Sequence, residues 1–115
     1  MDKEKFLIGI IVLPILQFII DSFYIWVYPQ VNPFRALMIG VTALVLLFIP
    51  YIFEKRWINA WIGGLSIFSS AFFGALLVQA GVLVSKTFFS GLVHILILWA
   101  SFIIISFIYE KLIRR

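Results

Sequence analysis

Cysteine is absent from the chain, histidine occurs once, as His94, and charged residues make up only 12% of the 115 positions. Without cysteine there is no disulfide framework, no thiolate nucleophile and no Cys-ligated metal, and one histidine cannot build a His-rich metal site. The charge content is about half the ~25% of an ordinary soluble domain. Low hydrophobicity and high charge are what keep a chain disordered, and this chain has the reverse of both. The formal net charge is +4, yet the basic residues stand in ones, twos and threes at the ends of apolar runs rather than on one face, so no nucleic-acid partner is expected. Enzyme signatures are missing too. The chain has no G-x-S-x-G, no H-E-x-x-H, no P-loop and no Gly-rich dinucleotide loop, and the expectation is a protein that is not an enzyme and carries no cofactor or metal.

What is present is apolar. Hydrophobic residues make up 64% of the chain, 18% of it is aromatic, and the mean hydropathy is +1.18. A soluble domain is about 45–50% apolar, so a water-soluble globule of this size would have nowhere to bury the excess. The composition points to an all-α integral membrane protein. Charged residues divide the chain into four apolar blocks, about 6–28, 33–53, 57–84 and 88–109, each with the ~20 residues a helix needs to cross ~30 Å of hydrocarbon. A β-barrel would show alternating ~10-residue segments, whereas Val45-Leu46-Leu47-Phe48-Ile49 is apolar on every side.

The breaks carry turn chemistry. Pro29 closes the first block, and Asn32-Pro33 supplies an N-cap followed by proline at the first helical position. Glu54-Lys55-Arg56 and Ser85-Lys86-Thr87 separate the later blocks, Thr87 being a cap for the fourth. Connections this short join antiparallel neighbours, so a single four-helix transmembrane domain, 1–115, is expected. Four spans put Lys3, Lys5, Lys55, Arg56, Lys111, Arg114 and Arg115 on one side and Arg35 and Lys86 on the other. The positive-inside rule then places both termini in the cytoplasm and the protein in the cell membrane. Tyr24, Trp26, Tyr28, Phe34, Phe88 and Phe89 mark the outer boundary; Tyr51, Trp57, Trp61 and Tyr109 mark the inner one. No small-residue cleavage site follows the first apolar run, since the first alanine is Ala36, so that run is read as a permanent helix rather than a signal peptide. Glu54-Lys55 and Glu110-Lys111 recur about half a chain apart, which is read as two hairpins with the same need for inner-face charge.

Polar residues inside a span are functional suspects by default. Asp21 is the most informative. Twelve Phe, Ile, Leu or Val residues between 6 and 20 contribute roughly −4 to −7 kcal/mol to insertion, against about +2.5 to +3.5 for a central aspartate, so the first helix can carry the acid within it. Pro14, Gln17 and Asp21 share one helix face with Tyr24 and Tyr28. Pro14 also removes the hydrogen bond to the Ile10 carbonyl. Counting ~1.5 Å per residue puts Asp21 about 6 Å outside the midplane and His94 about 7 Å outside it, with Gln79 shallower still. Asp21, Gln17, Gln79 and His94 are thus one expected site, a polar pocket in the outer half of the bilayer binding a proton, a cation or a substrate. The competing reading makes Asp21 a side chain that snorkels to the headgroups, with His94 and Gln79 as interhelical hydrogen bonds of ~0.6 kcal/mol each.

The third helix carries a second signal. Ser66, Ser70 and Gly74 recur every four residues, Ala71 and Ala75 adjoin them, and Ala36 and Gly40 repeat the spacing once on the second helix. Such stripes let backbones approach closely, either within the bundle or against another membrane protein or a second copy of the chain. Asn59 is read as a helix-start residue. Two functions follow. The first is an accessory, regulatory or immunity-type membrane subunit acting through helix contacts, which the off-centre acid slightly favours. The second is a small oligomeric transporter or channel with a polar site around Asp21 and His94. A holin-like pore former shares only size and a basic tail. Size, four spans and a first-helix acid are also found in the small multidrug resistance exporters, but Gln17-Phe18-Ile19-Ile20-Asp21-Ser22 lacks that family's motif.

Overall fold

The computed structural model describes residues 3–49, 57–84 and 88–113. Their regular structure is helical throughout: α1 Lys3–Val27, α2 Pro33–Phe48, α3 Trp57–Gln79 and α4 Phe88–Ile108, with α4 running on into one wider, π-type turn, Tyr109–Ile113. Three stretches, Phe6–Val27, Ala60–Gln79 and Phe88–Leu112, are long and apolar enough to cross a membrane. The turns at 54–56 and 85–87, the Thr87 cap, Tyr51 and the side chains of Trp57 and Asn59 lie outside the described residues.

Helix ends follow local chemistry. The Asn32 side chain accepts the Arg35 backbone N–H at 2.9 Å, with Pro33 at the first helical position, as its sequence signature predicts. The second helix, expected over 33–53, is α-helical over Pro33–Phe48, and 50–53 lie outside the described residues. The third, expected over 57–84, stops at Gln79 because Gly81 takes φ +81. The Gly81 N–H bonds the Val78 carbonyl and the Val82 N–H bonds the Leu77 carbonyl, the paired bonds of a Schellman cap, which favours glycine at the left-handed position.

α3 is the hub. Half of its apolar stretch is buried, against 17% for α1 and for α4, and its contact with α2 is the most extensive in the molecule, followed by that with α4. The small residues explain how. Gly40 of α2 lies against Phe68, and Gly63 and Gly64 of α3 lie against Leu47 and Leu44. On the other flank Gly9 of α1 opens the space that the Phe102 ring fills, so that Phe6 and Phe102 stack with centroids 5.3 Å apart. Ile20, Ile67, Ala43 and Leu98 form the fully buried centre.

α1 is fastened by a bond that its own sequence makes necessary. Pro14 cannot donate to the Ile10 carbonyl, and the Trp99 indole Nε1–H from α4 donates to that carbonyl instead, at 3.0 Å. An unmet carbonyl in apolar surroundings costs about 1–3 kcal/mol. Trp99→Phe should therefore destabilise the chain strongly, and less so in a Pro14→Ala background, where the substituted residue supplies the missing N–H. A double-mutant cycle of unfolding free energies in mixed micelles should show a coupling of about 1 kcal/mol or more; additive effects would mean that the indole contributes by packing alone.

Candidate functional site

A cavity of about 220 Å³ lies between the helices, lined by Gln17 and Asp21 of α1, the N-cap Asn32 and Arg35 of α2, and Ser90 and His94 of α4. Pro14, Ile25, Ile39, Ala71, Ala75, Val78 and Ile95 supply apolar wall. Three of the four residues expected to form a polar site are therefore together. The fourth, Gln79, is exposed at the last turn of α3, and its neighbour Val78 faces the cavity instead. Position along a helix says nothing about azimuth, and at Gln79 one residue of helical rotation, about 100°, decides the matter.

A relay of hydrogen bonds ties three helices at the cavity floor. The Gln17 side-chain amide, on a residue only 4% exposed, donates to Ser70 Oγ at 3.1 Å, and Ser70 Oγ donates to the His94 carbonyl at 2.7 Å. His94 Nδ1 lies 2.7 Å from the Ser90 carbonyl. A carbonyl only accepts, so Nδ1 carries the proton. The rest of the imidazole occupies space vacated by Gly74, where a Cβ would collide with Nε2, Cδ2 and Cε1. Higher up, Thr42 Oγ1 donates to the Met38 carbonyl at 2.8 Å, which makes Tyr24 the donor in its 2.8 Å bond to Thr42.

The small-residue stripe is consumed by these contacts. Ser66 and Ser70 are fully buried, and Gly74, Ala71 and Ala75 are buried with them. Ser70 meets α1 and α4, Gly74 houses His94, and Ala71 and Ala75 form cavity wall. These small residues serve packing inside this chain.

Arg35 is a site residue that sequence reasoning missed. Counted there only among the charges on the side opposite the termini, it is 7% exposed and lines the cavity, and its Nε has no hydrogen-bond partner. A signal was present. Arg35 stands in the first turn of α2, where the helix dipole favours an acid, and that turn has no acidic residue. Asp21 feels both His94 and Arg35 electrostatically. Among the described residues no three His, Asp or Glu side chains gather as a metal site would require.

No protein-family model, curated protein or solved structure matches the chain. The site is read from its own geometry.

Two glycines test that geometry. Gly74→Ala should cost about 1–3 kcal/mol, because the methyl group displaces the imidazole. Gly91→Ala meets open space and should be neutral or gain up to about 1 kcal/mol of helix propensity. Unfolding in mixed micelles checks both, and the reverse order would contradict the seating of His94.

Proposed function

We propose that this chain is a small cell-membrane protein that crosses the bilayer as four antiparallel helices and holds a proton or a small cation at Asp21, with Gln17 and His94 beside it, as part of transporting that ion or a substrate coupled to it. The observation that carries the reading is the shared cavity of Gln17, Asp21 and His94. An acid inside an apolar helix is costly and is kept where it has work to do. The other reading, an accessory subunit acting through helix contacts, is supported by the off-centre position of the acid, whereas Ser66, Ser70 and Gly74 of α3 are buried within this chain. Four helices of this length enclose too little volume for a full translocation path, so the working unit is taken to be an oligomer.

Several features support the membrane placement. Phe18 is 74% and Trp26 88% exposed, and exposed Leu, Ile and Phe side chains continue along α1 and α4; in water such faces would associate. The long axis of 41 Å matches the ~40–45 Å of a bilayer with its headgroups. Gly40 against Phe68 and Gly64 against Leu44 run in opposite sequence directions, as antiparallel neighbours do. The basic bias toward the side of the termini, Lys3, Lys5, Lys55, Arg56, Lys111, Arg114 and Arg115 against Arg35 and Lys86, favours cytoplasmic ends.

Asp21→Asn should abolish proton- or cation-linked flux in proteoliposomes while leaving unfolding in micelles essentially unchanged; wild-type vesicles with no flux would end this reading. For topology, the absence of native cysteine allows single labels at Asp2→Cys and Arg115→Cys. A membrane-impermeant thiol reagent should reach neither in intact cells and both after permeabilisation, and labelling of either from outside would overturn the orientation.

A further inference from the structure

The cavity walls divide by chemistry. α1 offers acceptors: the Asp21 carboxylate and, one turn below it, the Gln17 carbonyl oxygen, left over once the Gln17 amide has donated to Ser70. α2 offers donors: the Arg35 guanidinium, buried and with its Nε unpartnered, at a helix N-terminus whose dipole adds positive potential. A cation at Asp21 answers the carboxylate and leaves the Arg35 guanidinium free to hold an anionic group. Buried charge is tolerated where each member has a partner, and one molecule carrying both signs supplies two partners at once.

We propose that the cavity binds a small zwitterion of amino-acid type, its carboxylate on Arg35 and its ammonium on Asp21 and Gln17. Arginine suits the first task because its planar fork matches a carboxylate. The remaining wall, Ile25, Ile39, Val78 and Ile95 among it, is apolar and suits an aliphatic side chain. The size agrees, since an apolar cavity of about 150 Å³ holds one benzene and this one measures about 220 Å³. The inference rests on the reading of Asp21 as a cation site and adds the identity of the ligand that brings the cation.

The test uses the full chain in phosphatidylcholine nanodiscs, titrated calorimetrically with L-alanine, L-valine and L-leucine, each beside its decarboxylated amine and its deaminated carboxylate. At least one amino acid should bind about 10- to 100-fold more tightly than either of its halves, as loss of one charged hydrogen-bonding group implies. Arg35→Gln should bring its affinity down to that of the amine, with Arg35→Lys in between, and Asp21→Asn should bring it down to that of the carboxylate. The comparison of ligands on the wild-type chain needs no variant to fold. If an amine binds as tightly as its amino acid, the zwitterion inference falls while the cation site at Asp21 stands. If carboxylates bind as tightly and Asp21→Asn changes nothing, the site is an anion site and both readings fall. If no amino acid, amine or carboxylate binds, the zwitterion inference falls, and flux in proteoliposomes decides separately whether Asp21 still carries a proton or an inorganic cation.

Discussion

Polar groups set among apolar side chains need partners, and several in this chain find them across helices. The Ile10 carbonyl, deprived of a donor by Pro14, is met by Trp99 of α4. The Gln17 amide is met by Ser70 of α3, which passes its own hydrogen to the His94 carbonyl of α4. Tyr24 of α1 reaches Thr42 of α2. α1 has the lightest packing contacts with its neighbours, so these few bonds fix its rotation, and its rotation decides which way Gln17 and Asp21 face. A charge-poor chain has few such groups, and each therefore specifies the arrangement more strongly than it would in a polar protein.

Close approach is the second requirement, and glycine and serine meet it. Interdigitation of Gly40 with Phe68, Gly64 with Leu44 and Gly9 with Phe102 brings the helices together without a large buried surface. Gly74 joins packing to the site, because the volume it leaves empty is where the imidazole sits. Of the small residues that stand out in the linear chain, Ala71 and Ala75 line the cavity, Ser70 holds α1 and α4 beside it, and Gly74 seats the imidazole.

Much of the fold was legible. Four apolar blocks separated by charge, the Asn32-Pro33 helix start and the orphaned Ile10 carbonyl can all be read from residue order, because insertion energetics, capping and proline chemistry act over a few neighbouring positions. Helix ends were less legible where breakers sit inside apolar runs. Gly81 carries no charge and sits among Val78, Val82 and Leu83, so a hydropathy reading passes over it, although its left-handed backbone stops α3.

For the site, linear order determined which polar residues lie within apolar helices and how deep each one is, since rise per residue is a constant of the helix. It could not determine azimuth. Gln79 turned outward and Arg35 inward because the side-chain packing between α1, α2 and α3 sets each helix's rotation about its axis. That rotation depends on contacts between residues far apart in the chain, and only the tertiary structure brings those residues together.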